Sequence, residues 1–76
     1  MSKVYVVISE SIIQGHSSHG LHGVYTTKES AKNTAISAIK SMARHDVEDI
    51  NEDGLEFSYI NDNIEIYVSC IEQEVH

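Results

Sequence analysis

Proline is absent from the 76 residues, glycine occurs four times, and Cys70 is the single cysteine. The first two features argue against a disordered or low-complexity chain. The third excludes an internal disulfide, and with it the stapled core of small secreted proteins, so a reducing compartment is expected. Cations are also scarce: five Lys and Arg against twelve Asp and Glu leave a formal charge of −7. Such a chain repels polyphosphate and anionic membranes, and it lacks the cations that drive counterion release from nucleic acids. Direct binding to DNA or RNA is not expected; a protein partner with a basic surface is. Long apolar runs are missing too. The stretch after Met1-Ser2-Lys3 is only Val4 to Ile8, too short for a signal-peptide core or a membrane span. The expectation is a soluble, cytoplasmic protein.

What is present is an ordinary globular composition, 41% apolar and 22% charged. A chain below roughly 80 residues supports one core, so residues 1–76 form a single domain. Val4-Tyr5-Val6-Val7-Ile8 is β-branched or aromatic on both phases, the pattern of a central strand. Ser9 to Gly20 is polar and reads as an exposed connection, followed by a strand from Leu21 to Tyr25. Thr26 and Glu29 have capping-box spacing. Behind them Ala31, Ala35, Ala38, Ile39 and Met42, widened by Ile36 and Ala43, recur at helical spacing up to Arg44-His45. After an acidic turn closed by Asp53-Gly54, Leu55, Phe57 and Tyr59 alternate with polar residues. Asn61-Asp62-Asn63, residues tolerant of positive φ, then reverse the chain into Ile64, Ile66, Val68 and Cys70.

The expected fold is α+β, a four-stranded mainly antiparallel sheet with one helix on one face, in the order β-β-α-β-β. One helix shields one face. If Val4, Val6, Ile8, Val24, Ile64, Ile66, Val68 and Cys70 meet it, period-two alternation turns Tyr5, Val7, Tyr25, Tyr67 and Ile71 away. An exposed patch rich in tyrosine marks a homodimer or partner interface, although half-exposed edge tyrosines with wet hydroxyls would also satisfy the pattern.

Three constellations are candidates for chemistry or recognition. His16, His19 and His22 have the residue type of a transition-metal site, but their spacing converges only if the Gly15–Gly20 segment curls. A small-ligand or metal-sequestering module using this loop is the alternative function. Asp49 to Gly54 matches the first half of a calcium loop, yet Ile60 stands where a bidentate Glu is required. The wider acidic run, Asp46, Glu48, Asp49, Glu52, Asp53 and Glu56, forms a negative surface that can meet a basic partner or mimic a phosphate backbone. Tyr5, Tyr25 and Tyr67 complete the expected partner site. No phosphate loop, nucleophile elbow, HExxH helix or CxxC pair occurs, and Cys70 alternates with core residues, so no catalytic residue, enzymatic activity or cofactor is expected.

Lys3-Val4-Tyr5-Val6-Val7, followed by Gly23-Val24-Tyr25-Thr26-Thr27-Lys28-Glu29-Ser30-Ala31, resembles small phage-encoded domains of unknown function. In these a hydrophobic first strand precedes a "G-v-y-s-t-k-e-x-A" entry into a helix. The motif is strand, cap and helix start, so the resemblance implies fold and carries no active-site residues. By class, it implies an acidic binding protein similar in size and charge to anti-CRISPR or anti-restriction inhibitors.

Overall fold

Alternation carries further along the chain than its apolar residues alone suggest. The computed structural model describes residues 2–43 and 50–75. It contains β1 (Ser2–Ile13), β2 (His16–Tyr25), α1 (Lys28–Ala43), β3 (Asn51–Asp53), β4 (Glu56–Asn61) and β5 (Ile64–Val75). All strand pairs are antiparallel and the sheet order is β2-β1-β5-β4-β3. The fold is α+β in the expected sequence of elements, with a fifth strand, β3, in the segment whose composition implies only an acidic turn. Two strands of 12 residues pair along their whole length. At about 3.3 Å per residue they account for the 43 Å long axis.

The polar segment Ser9–Gly20 is not a loop but the distal half of the β1–β2 hairpin. Gln14 and Gly15, with φ of 52° and 82°, make its two-residue turn, a geometry matched to the right-handed twist of the flanking strands. The Gln14 amide also donates to the Asn63 carbonyl at 2.8 Å, fastening this turn to that of the β4–β5 hairpin. The latter forms without positive φ at Asp62 or Asn63; instead the Asn61 side chain accepts the Asp62 amide at 2.8 Å.

Helix α1 is capped one residue later than the Thr26–Glu29 spacing implies. Thr27 Oγ1 accepts the Ser30 amide at 3.2 Å and donates to the Ser30 hydroxyl at 2.9 Å, so Thr27 satisfies an orphan donor of the first turn. The helix buries Ala31, Ala35, Ala38, Ile39 and Ala43, within the stripe read from the sequence. Its continuation to Arg44-His45 lies outside the described residues. Small alanines let the helix approach a sheet face made of Val7, Phe57, Tyr59, Ile66, Val68 and Cys70.

The phase of β1 is opposite to expectation. Register places Val7 opposite Cys70 and Ser9 opposite Val68, so the odd residues face the helix. Val7 is buried and Tyr5 packs against the core, while Ile8 is exposed. Likewise Tyr25 lies opposite Tyr5 on the helix side, and Val24 is exposed. Tyr5, Val7 and Tyr25 are therefore not on the back of the sheet. The reason is Glu10: it shares a phase with Val4, Val6 and Ile8, and burying a carboxylate beneath the helix costs far more than burying the Ser9 and Ser11 hydroxyls.

Candidate functional site

The helix-free face divides into two chemical halves. Cross-strand rows on β2, β1 and β5 run Val24–Val6–Ile71 and Leu21–Ile8–Ser69. Leu21 is 69% and Val24 57% exposed, and Ile8, Ile71 and Tyr67 are exposed beside them. A shallow groove of about 460 Å³ runs past Ile8, Leu21, Glu10, His19 and Tyr67. Tyr67 is the one tyrosine of the expected trio that stands on this face. Its hydroxyl donates to Glu65 at 3.1 Å, and this bond holds the phenol above its ordinary pKa.

Toward β4 and β3 the same face becomes acidic. Asp53 lies opposite Glu56, and Glu56 opposite Ser69, so both carboxylates border the apolar rows. Glu52 points the other way, opposite Phe57, and binds Lys32 of α1 at 3.0 Å. The expected acidic surface is thus split: Asp53 and Glu56 share one face and Glu52 is tied to the helix. Asp46, Glu48 and Asp49 lie outside the described residues. Because Asn51–Asp53 is extended and paired, the described half of the calcium-loop candidate does not wrap its oxygens around a common centre.

The three histidines do not meet. His16 pairs with Ile13 at the hairpin end, and His19 stands on the helix-free face at 3.6 Å from Glu10. His22 turns beneath the helix to Ser9, 2.7 Å away. Among the described residues no group of three His, Cys, Asp or Glu side chains is placed to hold a metal ion. Extended backbone is the cause, since successive side chains alternate faces.

What the sequence reading missed is the device that turns His22 inward. The register of β1 and β2 slips between Val7 and Ile8, so Val7 faces Gly23 while Ile8 faces Leu21, and His22 is the extra residue of a β-bulge. Gly23 has φ of 129°, where a side chain is strained. The Tyr25 side chain folds over it, its hydroxyl oxygen 3.0 Å and its ring carbons 3.2 Å from where a Cβ would stand, and the Tyr25 hydroxyl donates to the His22 carbonyl at 3.0 Å. At Gly20 a Cβ would lie 3.2 Å from Ser9 Oγ, so glycine leaves room for the Ser9–His22 bond. Two residues further along, buried Ser11 bonds Ser18 at 2.9 Å. The recurrence of glycine at 20 and 23 around a histidine was the available signal.

A serine beside an imidazole invites comparison with a nucleophile and its base. Such a pair needs a third group to orient the ring and donors to hold an oxyanion. The cleft of about 430 Å³ between β2 and α1 that His22 enters is lined by neutral side chains, Asn33, Thr34, Ser37 and Ser41 among them. In this setting the bond does what buried hydroxyls require, giving Ser9 a partner out of water. Cys70 is buried, and burial pushes its thiol pKa up, away from the thiolate that nucleophilic chemistry needs.

No family model, curated protein or solved structure matches the chain. Among the described residues no helix is long and apolar enough to cross a membrane.

Proposed function

We propose that this chain is a small acidic interaction protein that acts by binding rather than by catalysis. Its docking surface is the helix-free face of the sheet. The observation that carries this reading is the uncovered row of Leu21, Ile8, Val24 and Ile71, bordered by Asp53 and Glu56. A contiguous apolar patch with a charged rim is the anatomy of a protein interface, in which the centre supplies affinity and the rim supplies specificity. The carboxylates select a partner with a basic surface, and the apolar rows close on a second copy of the chain as a homodimer. The resemblance to phage-encoded domains extends the proposal to a host target, a defence or nucleic-acid-binding protein whose basic groove is blocked by direct contact.

Substituting Leu21→Glu together with Val24→Glu tests the face. The expected outcome is that the wild-type chain sediments as a dimer and retains a basic protein from host lysate at low salt, less at high salt. The double variant is monomeric and captures less at either salt while keeping its circular dichroism spectrum. A wild-type chain that stays monomeric at high concentration and retains no protein at low salt removes the proposal.

The histidine-loop alternative loses support from the dispersal of His16, His19 and His22 across both faces.

A further inference from the structure

Sheet edges are where a chain of this kind offers unused backbone hydrogen bonds, and this sheet treats its edges unequally. The outer side of β2 is long but broken by the His22 bulge and by Gly23 at positive φ, features that discourage pairing. β3 is three residues long. The third edge is different. Among the described residues, β4 pairs with β5 from Ile64 to Ser69, and the Cys70 amide makes the last bond on that side, to the Leu55 carbonyl at 2.9 Å. Beyond it Ile71–Val75 continues as strand, bonded on its other side to β1 from Val6 to Ser2. All five residues are exposed.

Backbone groups in a strand alternate sides with period two. Since the Cys70 amide points toward β4, so do the N–H and C=O groups of Glu72 and Glu74, and no hydrogen bond among the described residues meets them there. Among the described residues nothing continues the β4 row beside them, and the Gly54–Leu55 turn bounds that place at one end.

From this we infer that the Ile71–Val75 edge takes a strand from a basic protein partner, pairing antiparallel in line with β4. The inference rests on the binding reading above and names the chemistry of the partner. Side-chain alternation defines that chemistry. Residues opposite Glu72 and Glu74 stand on the helix side and carry Lys or Arg. Those opposite Ile71 and Val75 stand on the helix-free side, beside the Val24–Val6–Ile71 row, whose ends are exposed, and are β-branched or aromatic.

A second copy is the wrong occupant. Pairing Ile71–Val75 with itself about Gln73 sets Glu72 directly against the Glu74 of the other copy, twice over, and like charges in directly opposed positions destabilise a ladder. Lys3 offsets only one of them, at 2.7 Å from Glu72; Glu74 has no ion pair among the described residues. The acidic alternation therefore blocks self-pairing at this edge and selects a cationic strand. The homodimer proposed above uses the face and leaves the edge open.

The experiment uses the full chain and two synthetic peptides that alternate Val with Lys and Arg, identical except that one is N-methylated at alternate amides. Amide hydrogen exchange and chemical-shift mapping provide the readout. The unmodified peptide slows exchange at the Glu72 and Glu74 amides. The methylated peptide, which keeps every charge but cannot donate to the edge, binds at least tenfold more weakly, as expected for the loss of one or more hydrogen bonds at about tenfold each. Glu74→Pro removes a donor facing the edge together with the Glu74 carboxylate, without touching the ladder to β1, and weakens the unmodified peptide more than Glu74→Gln, which removes the charge alone.

Equal binding of the two peptides overturns the edge proposal and leaves an acidic binding surface standing. Protection of Glu72 and Glu74 in the protein alone, rising with its concentration, makes a second copy the occupant and overturns it as well. Failure of both peptides to bind at low salt removes the edge and the basic-partner reading together.

Discussion

Both faces of this sheet carry β-branched residues, yet water treats the two differently. Under α1, Val7, Ile66, Val68 and Phe57 are almost wholly removed from water. On the back, Val24, Leu21 and Ile8 keep much of their surface exposed. Burial rather than residue type decides what a side chain contributes, because apolar stabilisation scales with area removed from solvent. The covered face holds the fold together, and the uncovered face leaves apolar surface in water.

The strongest way to break this comparison is to truncate matched positions on each face. Phe57→Ala removes a ring that is 2% exposed and is expected to cost about 3–5 kcal/mol, a large part of the roughly 5–15 kcal/mol that holds a domain folded. Leu21→Ser, at 69% exposure, is expected to stay within about 0.5 kcal/mol in the monomer. Urea unfolding at a protein concentration low enough to dissociate any dimer measures both. Equal costs would mean that Leu21 is buried within one chain and that the back face is not a free surface.

The bulge that separates the halves of β2 gives the next largest effect. Gly23→Ala puts a Cβ against the Tyr25 ring at a backbone conformation with φ of 129°, for an expected cost of about 1–3 kcal/mol. Relief of that strain by realigning β2 against β1 would move His22 out from under the helix. Thermal unfolding and the His22 ring chemical shifts report the two consequences. A variant as stable as wild type, with His22 unmoved, would show that the Gly23 conformation is not required.

Much of the fold is legible from the sequence, and the illegible parts have identifiable causes. The alanine stripe of α1 and the alternation of Phe57, Tyr59, Ile66, Val68 and Cys70 each define one buried phase, and the structure keeps both. Val4 to Ile8 is apolar on both phases, so periodicity alone could not orient it. The deciding residue, Glu10, lay in a segment read as loop because serine, glycine and histidine are poor strand formers. Hairpin closure by Gln14-Gly15 and cross-strand bonds from Ser9 and Ser11 override that weak propensity. The candidate site suffered the same error. With β1 ambiguous in phase, the sequence does not separate Tyr5 and Tyr25 from the back face that Val6, Ile8, Leu21 and Val24 occupy, whereas Tyr67 lies on a strand with one clear phase and stands on the face its alternation implies. The His16, His19, His22 spacing failed as a metal site for a related reason, because the backbone that carries it is extended.

The smallest expected effect concerns the open end of β5, where Lys3 and Glu72 meet at 2.7 Å with both side chains in water. The Lys3 hydrogen bond, reinforced by its charge, holds the Glu72 carboxyl below its ordinary value of 4.5, and the same contact raises Lys3 above 10.5. A depressed carboxylate pKa contributes stability that is present above the unfolded value and lost as pH falls through the folded one. A raised ammonium pKa contributes stability that is complete below the unfolded value and lost as pH rises through the folded one. The pair therefore supports the strand between those limits, weakly, because solvent and salt screen it. Lys3→Gln is expected to flatten the acid limb of melting temperature against pH slightly at low salt and to leave the curve unchanged at high salt. It also frees Glu72 for a cationic strand, so the basic peptide should bind Lys3→Gln modestly more tightly than wild type. Weaker binding would mean that Lys3 holds the edge in shape rather than competing for its charge, and the contrast between a built end and an open end of β5 would have to be redrawn.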